Sequence, residues 1–278
     1  MSSKTGGDDK ISVGSSMKII IFDHQQAVAE AAAALIQEGW KRKPDLVLGL
    51  AAGRTPLELY RLLVEFYHQG KIDFSRMRVF GLDEFFGLER THPLSFAAYF
   101  EENLFRHVNL PPDNIHLLDG KADNVEAHCR WYEAMIQRCG GIDIQLLGLG
   151  QNGHLGFNEP GSSFGSRTRL QALTEETMAV QASLFQAQGM TPPQASLTMG
   201  LATILEAKNI LLLVTGEEKA RILPQALEGP LTASVPASCL QLHSSVFVLL
   251  DEAAAAGLKR KNHYRQIQNL INLVPRLD

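Results

Sequence analysis

Apolar runs of strand length alternate along this chain with amphipathic stretches of helix length. This alternation predicts an α/β fold with a Rossmann-like, doubly wound, mainly parallel sheet and helices on both faces. The predicted strands are Met17–Phe22, Leu46–Leu50, Met77–Leu82, 142–147, Asn209–Thr215 and Val246–Leu250. The predicted helices are His24–Lys43, 56–69, Leu94–His107, Val125–Cys139 and Ser196–Ala207.

The same pattern divides the chain into a tail and one domain. Residues 1–16 are rich in Ser, Gly, Asp and Lys without apolar periodicity, which is typical of a disordered tail. Residues 17–278 form the predicted domain. Within it, residues 161–189 are rich in Ser, Thr, Gln and Arg with weak periodicity, so we predict a mobile lid there.

Composition excludes several classes of partner. The chain has 278 residues, 45% of them hydrophobic, and a net charge of −4, so its bulk charge does not favour nucleic acid or an anionic membrane. No apolar run reaches membrane-spanning length. The Cys residues lack C-x-x-C spacing, which predicts reduced thiols in a cytoplasmic protein. The basic stretch Lys259–Arg265 is typical of a solvated helix face or a subunit contact, which leaves a homo-oligomer open.

A polar, glycine-rich loop follows the predicted strand at 142–147. It contains Asn152, His154 and Glu159 among several glycines, so the segment is not helical and the side chains can turn towards one ligand. Ligands of open α/β sheets bind beyond the carboxyl ends of the strands. The alternative is structural: Glu159 caps or pairs, and His154 bonds to the backbone.

A second loop, Ala51–Pro56, joins a strand to a helix. Thr55 and Glu58 are spaced as a capping box with Pro56 between them, which predicts the positive end of a helix at this loop. Unpaired amides and the helix dipole favour an anion such as phosphate there, and Arg54 adds a cation. Lys219, predicted to open the next helix, repeats the arrangement of strand, glycine and basic residue near a helix start, although a surface lysine is the simpler interpretation.

The third candidate is the carboxylate pair Asp83-Glu84, which leaves a predicted strand for an aromatic setting. Such surroundings raise the pKa of a carboxyl group, as a general base near neutral pH requires. Taken alone, the pair is more typical of a helix cap or a solvated turn.

Together these segments resemble the glucosamine-6-phosphate deaminase family. The resemblance rests on Leu82-Asp-Glu-Phe85, on Asn-Gly-His-Leu-Gly-Phe-Asn-Glu-Pro at 152–160, on Gly53-Arg-Thr-Pro56 and on Ala237–His243. It implies a phosphosugar substrate and conversion of glucosamine 6-phosphate and water to fructose 6-phosphate and ammonia, without a metal or an organic cofactor.

The resemblance also implies roles for individual residues. Asp83 corresponds to the base that moves the C2 proton to C1, and His154, oriented by Glu159, assists ring opening. Asn152 is the further catalytic residue implied, at a position where relatives have Asp or Asn. The substrate-binding residues implied are Ala52, Gly53, Arg54, Thr55, Glu84 and Lys219.

Departures from the family pattern leave the substrate open. Ser183 stands where the family has a phosphate-binding Arg in its cover segment, and Arg54 is our hypothesis for the replacement cation. Gln171 and Ala172 stand where allosterically regulated relatives have Lys and Thr, although Arg169 and Ser162 match. The alternatives are a galactosamine-6-phosphate deaminase or isomerase, a 6-phosphogluconolactonase, which the Asp83-Glu84 pair disfavours, and a non-catalytic sugar-phosphate sensor.

Overall fold

The computed structural model describes residues 17–270, so the predicted tail at 1–16 and the last eight residues of the chain lie outside the described residues. The strands are β1 Met17–Phe22, β2 Val47–Leu50, β3 Arg78–Gly81, β4 Asp83–Phe85, β5 Ile115–His116, β6 Ile144–Gly148, β7 Arg169–Ala172, β8 Ala195–Thr198, β9 Asn209–Val214 and β10 Val246–Asp251. The helices are α1 Gln25–Arg42, α2 Leu57–His68, α3 Phe96–Asn103, α4 Val125–Arg138, α5 Glu175–Gln186, α6 Leu201–Leu205, α7 Leu223–Leu227 and α8 Lys261–Leu270.

The main sheet has seven strands in the order β1-β10-β9-β6-β2-β3-β5, and every pair in it is parallel. All residues of β2, β9 and β10 are buried, as expected for parallel strands covered on both faces. These are the strands that the continuous apolar runs predict, within one or two residues at each end. The α/β prediction is therefore confirmed.

A second sheet of three antiparallel strands, β4-β8-β7, was not predicted. The helix predicted over Ser196–Ala207 is wrong in its first half, where β8 lies between β4 and β7. Ser196, Leu197 and Thr198 are all fully buried by that pairing, which overrides the local preference. Helix α6 begins only after Gly200. Asp83-Glu84 likewise lies in strand β4 and not in a turn.

Two local predictions at helix starts are also wrong. Helix α2 begins at Leu57, and within the described chain no side chain caps it; Glu58 pairs with Arg61 instead. Thr55 turns its hydroxyl to Thr215, with 3.4 Å between the two Oγ1 atoms. Lys219 does not open the next helix but is the last residue of a 3-10 turn, Glu217–Lys219, ahead of α7.

The predicted lid segment at 161–189 contains β7 and α5. Its start is fastened to α4 by Glu133, which accepts hydrogen bonds from the backbone N–H and the hydroxyl of Thr168 and pairs with Arg167. Its helix packs Phe185 on Phe85, with 5.2 Å between the ring centroids. The mobility of this segment stays a prediction.

At the end of the described chain, α8 carries much of the basic stretch that the sequence analysis left open. Lys261 and Arg265 both form ion pairs with Glu252, so part of its charge is neutralised within the chain. Across residues 17–270, none of the helices has the length and apolar character that crossing a membrane requires.

Candidate active site

The candidate site lies where the chain reverses its direction across the main sheet. From β2 the chain moves outwards to β3 and β5, and from β6 it moves the opposite way to β9 and β10. Strands β2 and β6 are neighbours, so the loops that follow them open at the switch point of the sheet. These are the two glycine-containing loops that the sequence singled out.

The loop after β6 holds His154 in a defined orientation. Asn152 Oδ1 lies 2.7 Å from His154 Nδ1 and also accepts the backbone N–H of His154 at 3.2 Å. Since an amide oxygen only accepts, Nδ1 carries the hydrogen and Nε2 is left as the acceptor. A Cβ on Gly150 would come within 2.3 Å of the imidazole, so only glycine fits against this ring.

Glu159 completes this group from the end of the loop. Its Oε2 accepts a hydrogen bond from Asn152 Nδ2 at 2.9 Å and lies 3.6 Å from His154 Nδ1. Burial acts to raise the pKa of Glu159, but the neighbouring polar side chains of His154, Thr177 and Asn152 outweigh it and lower the pKa to about 2. Glu159 is therefore an anion across the physiological pH range, placed to stabilise a protonated imidazole.

Asp83 lies beside the same loop, on strand β4. A Cβ built on Gly156 would lie 3.2 Å from Asp83 Oδ2, so the carboxylate packs against the loop backbone two positions after His154. The side chain is buried, with 8% exposed. Burial and then the negative charge of Glu84 raise the pKa of Asp83 well above its ordinary value. A carboxylate whose pKa is raised in this way suits general base catalysis near neutral pH.

Glu84 follows Asp83 on the strand and therefore points to its other face. Its carboxylate accepts backbone N–H groups of Phe85, Phe96 and Ala97 at 2.9–3.0 Å, and the last two belong to the first turn of α3. It also lines a cavity of about 380 Å³ together with Asp119 and Trp131. The structure thus places Glu84 at a helix start, and its assignment to substrate binding stays a prediction.

The loop after β2 is held by hydroxyl groups from neighbouring helices. Tyr99 donates to the carbonyl oxygen of Gly53 at 2.7 Å, and Tyr60 donates to that of Ala51 at the same distance. Gly53 has a φ of +123°, a conformation that favours glycine. Ala52 and Thr55 are half-buried beside it. The loop is thereby fixed at the N-terminal end of α2, where the helix dipole favours an anion.

One cation belongs to this loop, and a second follows a turn that contacts it. Lys219 follows the Thr215-Gly216 turn that contacts Thr55, and burial lowers its pKa although Glu218 opposes this effect. Arg54 is exposed on the loop itself, and Ser183 is exposed on α5. The arrangement brings Ala52, Gly53, Arg54 and Thr55 together with the turn before Lys219; their contact with a ligand stays a prediction. Among residues 17–270, no three His, Cys, Asp or Glu side chains are grouped closely enough to hold a metal ion.

Sequence analysis missed the residues that join these segments. Thr198 on β8 accepts the backbone N–H of Phe157, and Tyr99 on α3 holds Gly53. Both act across long sequence separations through single hydrogen bonds. Thr198 fell in a stretch that was predicted as helix, so no local signal could have identified it.

Comparison with known proteins identifies the relatives of this chain. The model of the family described as glucosamine-6-phosphate isomerases/6-phosphogluconolactonase matches residues 23–249. Glucosamine-6-phosphate deaminase 2 of Bacillus subtilis is 46% identical over 244 residues, which cover 87% of this chain and 98% of that protein. The glucosamine-6-phosphate deaminase of Shewanella loihica is 48% identical over 252 residues, 91% of this chain and 94% of that protein.

Solved structures agree with these matches. A structure described as a monomeric glucosamine-6-phosphate deaminase superposes with a TM-score of 0.84 at 41% identity, covering 87% of this chain and all of the other. A 6-phosphogluconolactonase from Leishmania guyanensis has a TM-score of 0.67 at 22% identity, covering 86% of this chain and 98% of that one, a likeness of fold alone. With relatives of such identity along most of its length, the chain belongs to the glucosamine-6-phosphate isomerase/6-phosphogluconolactonase family, among its glucosamine-6-phosphate deaminases.

Proposed function

We propose that this chain is a glucosamine-6-phosphate deaminase, which converts glucosamine 6-phosphate and water to fructose 6-phosphate and ammonia. The observation that carries the proposal is the packing of the Asp83 carboxylate against the loop of His154. The ideal Cβ position of Gly156 lies 3.2 Å from Asp83 Oδ2, which brings a base of raised pKa against the loop that holds the oriented imidazole. Relatives that are 46–48% identical and carry this name support it.

The proposed chemistry begins with ring opening, in which His154 Nε2 takes the proton of the C1 hydroxyl and passes it to the ring oxygen, while Glu159 stabilises the charged imidazole between the two transfers. Asp83 then takes the proton from C2 of the open-chain amino aldehyde and returns it to C1. Together with the passage of one proton from the amino nitrogen to O1, this transfer makes C1 a hydroxymethyl carbon and C2 an imine carbon. Water adds to the imine and ammonia leaves, so that C2 becomes the ketone of fructose 6-phosphate.

The phosphate end of the substrate is assigned to the loop after β2. Backbone N–H groups at the start of α2, the dipole of that helix and the side chains of Arg54 and Lys219 provide the positive charge that a dianion requires. Arg54 supplies the cation that Ser183, on α5, cannot. Anchoring the phosphate fixes C1 and C2 over the catalytic groups, which makes proton transfer effectively intramolecular.

The test is direct incubation of the purified protein with glucosamine 6-phosphate and, separately, with galactosamine 6-phosphate and 6-phosphogluconolactone. We expect ammonia and fructose 6-phosphate in equal amounts from the first, and no turnover with the Asp83→Asn variant. Ketose phosphate without ammonia would instead identify an isomerase. Ammonia only from the galacto epimer would reassign the substrate, and hydrolysis of the lactone alone would make the protein a lactonase.

The remaining expectations concern location and assembly. Free Cys129, Cys139 and Cys239 support a cytoplasmic protein, which fractionation of the source cells checks. Hydrogen exchange with and without bound phosphosugar checks the prediction that residues 161–189 cover the site. Light scattering after gel filtration checks whether the protein is a homo-oligomer. A mass of twice 30.6 kDa or more would establish the oligomer.

A further inference from the structure

The small antiparallel sheet carries a row of side chains directly under the catalytic loop. In its register Asp83 on β4 lies opposite Thr198 on β8, and Thr198 lies opposite Arg169 on β7. Residues directly opposite each other in antiparallel strands project to the same face. Asp83, Thr198 and Arg169 therefore form one row across the sheet, with Thr198 in the middle.

Successive residues of the catalytic loop contact successive members of this row. The Cβ position of Gly156 lies 3.2 Å from Asp83 Oδ2. Phe157 donates its backbone N–H to Thr198 Oγ1 at 3.1 Å. Asn158 Oδ1 accepts from Arg169 Nη1 at 2.8 Å. The row therefore sets the position of the loop that presents His154, contact by contact.

The Thr198 hydroxyl holds the central position in these contacts. It is fully buried, and its Oγ1 lies 3.0 Å from the Cβ position of Gly156 as well as accepting from Phe157. The hydroxyl donates its own hydrogen to the carbonyl oxygen of Met199 at 3.3 Å. Its lone pairs therefore face the loop. Removing the hydroxyl would take this buried partner from the amide of Phe157, whose neighbour in the chain touches the Asp83 carboxylate.

We propose that Thr198 is a positioning residue that sets the distance between the Asp83 carboxylate and the His154 imidazole. The role rests on the proposed function, since it matters only if these two groups act on one substrate. Within residues 17–270 the hydroxyl of Thr198 forms its hydrogen bonds with Phe157 and Met199, and not with Asp83, His154 or the phosphate loop. Its loss should therefore lower kcat while KM changes little, because binding at the phosphate end is separate from the spacing of the catalytic pair.

The test compares Thr198→Val, which keeps the shape of the side chain but lacks the hydroxyl, with Thr198→Ser, which keeps the hydroxyl. We expect kcat for ammonia release to fall by about tenfold or more in the valine variant, with KM within about twofold of the parent, because small displacements of catalytic groups cost up to about 100-fold. The serine variant should recover most of the rate.

A matched control separates positioning from loss of stability. Thr203 on α6 is also buried and donates its hydroxyl to Glu133 at 2.6 Å, away from the catalytic loop. Thr203→Val should lower Tm at least as much and leave kcat within about twofold of the parent, since it also loses a buried hydrogen bond of a threonine hydroxyl, here to a charged acceptor. If Thr198→Val yields too little folded protein, Thr198→Ala compared with Thr198→Ser gives the same test.

Several outcomes would overturn the role of Thr198. A valine variant with the parent's kcat would do so, and so would a loss confined to KM or an equal loss of kcat in the serine variant. A parent protein that releases no ammonia would remove the proposed function and this role together. If the parent releases ammonia and Thr198→Val does so at the same rate, the proposed function stands and only the role of Thr198 is refuted.

Discussion

Neighbouring carboxylates in this protein acquire different properties because a strand sends them to opposite faces. Asp83 and Glu84 are both buried, with 8% and 2% of the residue exposed. Glu84 accepts three backbone N–H groups at a helix start. Burial nevertheless raises its pKa, because it outweighs those bonds. Among residues 17–270 no hydrogen bond offsets the burial of Asp83, and the negative charge of Glu84 adds to its effect. Glu84 therefore binds the start of α3, whereas Asp83 is a base of raised pKa.

The raised pKa of Asp83 predicts that this residue destabilises the protein at neutral pH. Its pKa in the folded state lies above the ordinary 3.8, so the folded protein binds that proton more tightly than the unfolded chain, and stability falls as pH rises through this interval. Asp83→Asn removes the buried charge. We expect Tm at neutral pH to rise by about 2–4 °C for each kcal/mol relieved, and this gain to vanish below the ordinary pKa of an aspartate.

Calorimetry of Asp83→Asn across pH measures this effect. Asp73 provides the opposite case, since the hydrogen bond from the backbone of Ser75, followed by that from Asn109, lowers its pKa. Asp73→Asn should therefore lower Tm at neutral pH, or leave it unchanged, in the same scan. A lower Tm for Asp83→Asn at neutral pH would show that its charged form is stabilised in the folded protein.

The charge of Glu84 should also control where the enzyme loses activity on acidification. A base must be unprotonated to act, so kcat/KM falls as pH drops through the raised pKa of the catalytic carboxyl. Glu84→Gln removes the like charge and keeps one oxygen for the amides of α3. We expect the acidic limb of the kcat/KM profile to move to lower pH, whereas Glu89→Gln, at an exposed carboxylate, leaves it in place. A limb that stays or moves upwards in Glu84→Gln would contradict the electrostatic account.

At the scale of elements, the sequence predicts what continuous apolar runs encode. Strands β1, β2, β3, β6, β9 and β10 follow from such runs, because parallel strands buried on both faces need apolar residues throughout. Strand β8 does not follow, since Ala195–Thr198 is half polar and becomes buried only by pairing with β4 and β7. The capping box at Thr55 fails for a related reason, because its hydroxyl turns to Thr215 on another strand's loop.

In the candidate site, too, some features are visible in the local sequence and others depend on tertiary pairing. Asp83, His154 and Glu159 lie in loops or strand ends whose glycines and charges are visible locally. Their spacing depends on Thr198, more than forty positions beyond Phe157, and on the register of a sheet only three strands wide. Contacts set by tertiary register carry no periodic signal in the sequence.

Glu159 links the loop of His154 to helix α5 of the predicted lid segment, which gives a prediction for α5. Its Oε1 accepts the backbone N–H of Thr174, the N-cap residue of α5, at 3.3 Å. Because its pKa is lowered to about 2, the stability it contributes is present above the ordinary 4.5 and is lost as pH falls towards 2. Glu159→Gln imitates that loss at neutral pH. We expect amide exchange in α5 to become at least about tenfold faster, as about 1.4 kcal/mol of local stability corresponds to tenfold.

Hydrogen exchange measured by mass spectrometry on peptides covering α5 checks this expectation. Glu175→Gln serves as the control, since Glu175 is exposed in the first turn of the same helix. Exchange that rises equally in both variants, or in neither, would contradict a link through Glu159.

For the whole molecule, the net charge of −4 opposes the approach of a phosphosugar dianion, so attraction must come from the local cations at the switch point. Arg54 is the exposed member of this group. Arg54→Ala should raise KM by roughly tenfold or more, because a charge-assisted contact contributes about 1.5–3 kcal/mol. Salt screens such attraction over about 8 Å at physiological ionic strength, so KM of the parent should rise with added salt and that of Arg54→Ala should rise less.

The control for this prediction is Arg61→Ala, which removes the same charge from an exposed arginine of α2 that is already paired with Glu58. If the net charge of the whole protein decided substrate capture, Arg54→Ala and Arg61→Ala would change the rise of KM with salt by the same amount. If the local cations at the switch point decide substrate capture, only Arg54→Ala changes KM and the slope of KM with salt. In that variant kcat is preserved because the phosphate lies away from C1 and C2. An unchanged KM in Arg54→Ala would show that Arg54 does not bind the phosphate. Lys219 and the amides of α2 would then be its only proposed partners.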